Sequence, residues 1–209
     1  ANESRETWLD FLSSLKRRGL KDVRVFVSDA HEGIKHAISL LFPETPWQRC
    51  QFHFIRNITD KAPKKYQAGL STELHEMFNS KTIEAARRKR NSIIEDYRDV
   101  AEAAMECLDE GFEDAMTVMI LPNGMRRFFR TSNHIERLNG ELKRRSKALG
   151  VFPNSRSILR LMGAVLMERN DVLQLQKAIF EHKTYESLLA SEVPRKLMAI
   201  AGQQQRQVA

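Results

Sequence analysis

Two carboxylates in this sequence stand where they could hold a metal ion, and a run of cations surrounds one of them. Asp29 follows Val23-Arg24-Val25-Phe26-Val27, a β-branched, alternating stretch that predicts a buried strand. A carboxylate at the C-terminal end of such a strand is rigidly aimed, and a hard cation such as Mg²⁺ takes oxygen ligands of this kind. An Asp in this place also serves as a turn or helix-capping residue, so both readings stand. Glu136 lies in Thr131-Ser132-Asn133-His134-Ile135-Glu136-Arg137-Leu138-Asn139, which opens a helix. Asn133 can cap that helix and Glu136 can close a capping box, a complete structural account of both. The surroundings of Glu136 point further. From Gly124 to Lys147 the cations are Arg126, Arg127, Arg130, Arg137, Lys143, Arg144, Arg145 and Lys147, against Glu136 and Glu141 alone. Ile135, Leu138 and Leu142 predict the buried stripe of the helix, and Glu136, Gly140, Lys143 and Lys147 line a neighbouring face. A carboxylate for a metal beside cations for phosphates is what a metal-dependent phosphodiester enzyme requires.

Other residues carry weaker signals. Cys50 and His53 form a C-x2-H pair, but Cys107 is remote and no second pair completes the four ligands of a zinc site. No zinc is expected; a buried thiol and a hydrogen-bonding His on a short strand account for the pair. His31 either touches substrate or caps the following helix, and capping is the simpler reading. Arg87-Arg88-Lys89-Arg90 is followed by Glu95, Asp96 and Asp99, which nearly balance it, so it reads as a solvated helix face.

The elements that must position these residues can be read from periodicity. Trp8, Phe11, Leu12 and Leu15 predict a helix over 4–18, stopped by Gly19. The strand before Asp29 is followed by helical spacing over 33–42, stopped by Pro43. This order belongs to α/β folds. Residues 46–54 predict a short second strand, and a helix through Ile55 and Ile58 ends before Pro63. From about 65 to 117 the pattern is helical throughout, with one stripe running from Ile83 to Leu108 and Gly111 as its breaker. Residues 118–130 read as irregular; helices follow over about 133–147, 155–169 and 172–190, and the glutamine-rich tail as polar and frayed.

Composition bounds the rest. Of 209 residues, 42% are hydrophobic, enough for a core, which argues against disorder. The net charge is +7, and the 124–147 segment carries nearly all of it. No apolar run approaches the ~18 residues of a membrane span, and no secretory pattern is present. Two cysteines cannot build a disulfide framework, so a reducing, cytoplasmic setting is expected. The chain begins at Ala1 without an initiator Met, which leads us to expect a cut or processed start.

Taken together, the blocks resemble a known family. Val27-Ser28-Asp29-Ala30-His31-Glu32-Gly33, then Phe42-Pro43, then Trp47-Gln48-Arg49-Cys50-Gln51-Phe52-His53-Phe54-Ile55-Arg56-Asn57 are similar to the Mutator-type transposases of bacterial insertion sequences. The Thr131–Asn139 block, Arg144-Arg145 and Gly150-Val151-Phe152-Pro153-Asn154 resemble the family's final catalytic block. Each block alone is weak; their occurrence in order, from about Ser4 to Asp171, is specific.

The resemblance implies an α/β, helix-rich fold: an incomplete ribonuclease-H-like core interrupted by an all-helical insertion. The parts would be a partial core over 1–60, the insertion over 61–118, the rest of the core with trailing helices over 119–190, and a tail over 191–209. It implies an Asp-Asp-Glu triad in which Asp29 is the second Asp and Glu136 the Glu, holding two Mg²⁺ ions in the intact enzyme. Cys50 and His53 would be the family's C-x2-H signature. Arg137, Lys143, Arg144 and Arg145, with Arg126 and Arg127, would hold DNA phosphates. The implied activity is cleavage and strand transfer at insertion-sequence ends, with terminal inverted repeats and target DNA as partners, a homo-oligomer as the working form, and a bacterial, nucleoid-associated location. The chain departs from the pattern in one respect. The family's first Asp lies on a strand upstream of the Trp8 helix, and neither Asp10, inside that helix, nor Asp22, before the next strand, can take its role. The family's inverted-repeat-binding region is missing as well. The chain therefore reads as a C-terminal portion of a transposase, expected to be inactive alone; the alternative is a non-catalytic DNA-binding or subunit-association remnant.

Overall fold

The computed structural model describes residues 4–208, and the chain divides into two units. One contains the described part of Ala1–Ser132 together with Ser191–Ala209; the other is Asn133–Ala190.

In the first unit Ser4 caps α1 (Arg5–Arg17) by accepting the Thr7 N–H at 3.2 Å. The helix ends as its residue types require: Gly19 takes φ +100°, and the N–H groups of Gly19 and Leu20 close on the carbonyls of Lys16 and Leu15. Strand β1 (Phe26–Ser28), helix α2 (Glu32–Leu41) and strand β2 (Trp47–Arg49) then form a crossover unit. The strands are parallel, with Phe26 opposite Trp47 and Ser28 opposite Arg49; parallel neighbours need such a connection, and α2 supplies it. Phe26 N–H to Pro46 O (3.0 Å) and Cys50 N–H to Ser28 O (2.7 Å) extend the ladder at both ends. Leu12, Ala37, Ile38, Phe42 and Trp47 form the core beneath it.

This corrects the sequence reading in two places. The strand over 23–27 is a shorter, half-buried Phe26–Ser28, because the Val23 carbonyl is taken by the Thr45 hydroxyl at 3.1 Å and β1 has one ladder partner among the described residues. The second strand stops at Arg49, and α3 (Gln51–Asp60) begins at once. Phe54, Ile55 and Ile58 need helical spacing to reach a second core.

That core joins α3 to α4 (Lys64–Phe78), α5 (Ile83–Tyr97) and α6 (Glu102–Ala115). Phe54, Ile58, Leu70, Leu74, Met77, Leu108 and Phe112 are fully buried in it. The stripe read as continuous from Ile83 to Leu108 is two helices, with a turn closed by Ala101 N–H to Tyr97 O at 2.8 Å. Gly111 does not break the helix. It lies buried inside α6, where a Cβ would collide with the Arg49 guanidinium and the Phe54 ring. The stretch expected to be irregular holds a 3₁₀ turn, Thr117–Ile120, and a short helix α7 (Asn123–Phe129).

In the second unit α8 (Asn133–Leu149) and α9 (Ser155–Leu175) are followed by α10 (His182–Leu189). Asn154 caps α9 through the Ser157 N–H at 3.0 Å. Helix α9 runs through Asn170 and Asp171, where the sequence suggests a break, because neither Gly nor Pro stands at that point. None of α8 is buried, and Ile135, expected in its buried stripe, is 54% exposed.

The tail returns to the first unit as α11 (Val193–Val208), a correction to the frayed end expected. Leu197 and Ala201 are buried. Gln204 acts as a substitute strand: its Oε1 accepts the Trp47 N–H at 2.9 Å, and its Nε2 donates to Trp47 O and to Asp114 Oδ1, both at 2.8 Å. Burial pushes the Asp114 carboxyl up, opposed by that hydrogen bond and by the charges of Lys35 and Arg49. No helix among the described residues is long and apolar enough to cross a membrane.

Candidate catalytic carboxylates and nucleic-acid interface

Asp29 is the first residue after β1, at its C-terminal end. Its carboxylate is exposed and makes no ion pair or hydrogen bond among the described residues. The neighbouring side chains are otherwise engaged: Ser28 Oγ donates to the Asp29 carbonyl (2.7 Å) and accepts from Trp47 Nε1 (2.8 Å). His31 caps α2, its Nδ1 accepting the Gly33 N–H at 3.1 Å. Asp29 is thus not the cap, and its two oxygens remain available to a hard cation, which takes such ligands.

Cys50 links β2 to α3. It is fully buried, and its Sγ accepts from the Ser132 N–H at 3.5 Å and the Ser132 Oγ at 3.4 Å. The next residue, Gln51, donates its N–H to Arg130 O at 2.9 Å. The start of α3 thereby ties residues 130–132, the segment that leads into α8, to the end of β2. His53 is half-buried one turn along α3. Cys107 is also a free, buried thiol, and it contacts the Arg49 guanidinium.

Glu136 lies in the first turn of α8, where the helix dipole favours a carboxylate. It belongs to the second unit and Asp29 to the first. The cations fall into three groups. Arg137 and Lys143 on α8 are exposed and make no ion pair among the described residues. Arg144 and Arg145 share Glu141: Arg144 binds it through two bonds, of 2.8 and 2.7 Å, and Arg145 Nε donates to it at 2.8 Å. Arg145 also approaches Glu168 of α9 at 3.6 Å. These hydrogen bonds, from Arg144 first and then Arg145, hold the Glu141 carboxyl down at about 2. On α7, Arg126 turns its donors to main-chain oxygens, of Leu121 at 2.8 Å, Met119 at 2.8 Å and Lys81 at 3.0 Å. Arg127 is exposed and stacks on Phe128. Arg130, counted in the basic run but not singled out there, donates to Asn79 Oδ1 at 2.7 Å.

Comparison with known proteins decides the family. A sequence model described as "Transposase, Mutator family" matches residues 1–175. The chain belongs to the Mutator family of transposases. Over 173 residues it is 42% identical to the transposase for insertion sequence element IS256 in transposon Tn4001 of Staphylococcus aureus, an alignment covering 82% of this chain and 44% of that protein. The transposase for ISRM5 of Rhizobium meliloti is 35% identical over 169 residues, 81% of this chain and 42% of its own. That for IS1081 of Mycobacterium tuberculosis is 35% identical over 164 residues, 78% of this chain and 40% of its own. The chain thus spans less than half the length of these relatives. The family resemblance carried by the Asp29, Cys50-His53 and Glu136 blocks is borne out.

Proposed function

We propose that these residues form part of the catalytic domain of a DNA transposase that cleaves insertion-sequence ends and transfers the strands to target DNA, with Asp29 and Glu136 as metal ligands. The observation that carries this reading is the Asp29 carboxylate, exposed and without an ion pair among the described residues, at the C-terminal end of a parallel strand in a chain of the Mutator family. The β1–α2–β2 crossover supports placing it in a ribonuclease-H-like core, with α4 to α6 as the helical insertion. A divalent cation such as Mg²⁺ suits an all-oxygen donor set, and when bound it activates a water or hydroxyl and stabilises the leaving oxygen.

The chain's own residues do the rest. Asp29 presents its oxygens from a short, hydrogen-bonded strand end, so little reorganisation is needed to bind a cation. Cys50 and Gln51 fix the segment that precedes the Glu136 helix. Arg137 and Lys143, with no acid partner among the described residues, hold backbone phosphates; they orient DNA without reading its sequence. Arg144 and Arg145 join them when Glu141 gives them up, and Arg127 extends the interface onto α7. Arg126 contributes charge, its donors being engaged.

The resemblance calls for a third carboxylate that no residue here matches, so the isolated chain should not cut. The test is Mg²⁺-dependent cleavage of labelled DNA carrying an insertion-sequence end. We expect no cleavage by the 209-residue chain, and cleavage by a longer transposase that contains it. Robust cleavage by the short chain would overturn the three-carboxylate reading. DNA binding without cleavage in any longer form would favour the non-catalytic alternative.

A further inference from the structure

Arg126 and Arg130 lie one turn apart on and just after α7, and both point toward the turn between α4 and α5. Arg130 Nη1 is fixed by Asn79 at 2.7 Å, and its Nε is buried without a hydrogen-bond partner among the described residues. Arg126 is fixed by the Lys81 carbonyl, which places Lys81 on the same patch. Lys81 and Arg127 are exposed. None of the four makes an ion pair among the described residues. On α5, by contrast, Arg87, Lys89 and Arg90 each pair with a carboxylate. Partial burial lowers the affinity of both half-buried guanidinium groups for their protons, and at Arg130 the charge of Arg126 adds to the effect. An anion at this patch would relieve that cost.

Resting on the transposase reading above, we propose that the α4–α5 turn and α7 form a DNA backbone contact of their own. Lys81, Arg127 and Arg130 bind phosphates there, and Arg126 holds Lys81 in place. Arg130 is preorganised: Asn79 sets the plane of its guanidinium and leaves Nη2 to donate. Three donors drawn from two segments of the chain suit an extended polyanion better than a single small anion. The helical segment between the two catalytic blocks would then take part in holding DNA.

The test is fluorescence-anisotropy titration of the 209-residue chain with a short duplex of arbitrary sequence at several salt concentrations. Lys81→Gln and Arg130→Gln should each weaken binding and reduce the slope of log K against log salt by about 0.9, one released phosphate contact apiece. Arg130→Lys should restore part of the slope. Lys81 is exposed, so its variant reads the site without disturbing the core. The paired variant Arg137→Gln/Lys143→Gln reports the α8 contacts separately. Slopes unchanged in the Lys81→Gln and Arg130→Gln variants, but reduced in the α8 variant, would overturn this site and leave the transposase reading intact. Absence of duplex binding by the unaltered chain would overturn the site and count against DNA contact by this chain altogether. Displacement of the duplex by inorganic phosphate at equal anion concentration would overturn the extended-polyanion assignment.

Discussion

At the scale of single residues, partners decide what a charge can do. Arg126, Arg137 and Arg144 look alike in the sequence, yet one is engaged by carbonyls, one has no acid partner among the described residues and one shares a carboxylate. Glu141 is the control point on α8. Its carboxyl is held at about 2, below an ordinary value of ~4.3, so its stabilising effect is present above that ordinary value and fades as pH falls toward 2. An NMR titration of the Glu141 side chain should show this low midpoint; a midpoint near the ordinary value would remove the shared pair. Glu141→Gln should free Arg144 and Arg145 and tighten non-specific DNA binding, read by anisotropy at low salt. The place of Asp29 at a strand end is legible in the sequence, but the spacing alone leaves a turn or capping role open, and the structure gives the cap to His31. The role of Cys50 is not legible there: a C-x2-H spacing suggests ligands, whereas the sulfur's bonds to Ser132 join residues far apart in the chain.

At the scale of elements, most periodic stretches are helices, but the one expected over 172–190 is divided: α9 ends at Leu175 and α10 begins at His182. Other differences fall where tertiary contacts override local signals. Gly111 marks a helix end by composition, yet it is needed because Arg49 and Phe54 press against α6. Gly111→Ala should therefore destabilise the fold, by about 1–3 kcal/mol through overpacking, despite alanine's better helix propensity. Urea unfolding checks the sign, and a more stable variant would refute the packing argument. The polar tail is the second case. Its glutamines show no strong apolar stripe, and their use emerges only once Gln204 meets the outer edge of β2. Gln204→Ala removes the partner of the Trp47 N–H and should cost about 1–3 kcal/mol, seen as a lower denaturation midpoint. An unchanged midpoint would mean that α11 does not cap the sheet.

At the scale of the whole molecule, the first unit holds a crossover that carries Asp29 and a helical segment with its own core, and the second unit holds α8, which carries Glu136. The sequence blocks identified the family because their order is long and specific. Where the carboxylates act was carried by resemblance, since no single periodicity relates residues so far apart. The central claim is that Asp29 and Glu136 serve one metal-dependent reaction. The most direct measurement is the rate of Mg²⁺-dependent cleavage of an insertion-sequence end by a longer transposase containing this chain, with Asp29→Asn and Glu136→Gln tested singly. Each should slow cleavage by roughly a thousandfold, about 4 kcal/mol of barrier, with DNA binding and circular dichroism unchanged. Folded variants that cut at the original rate would contradict the assignment.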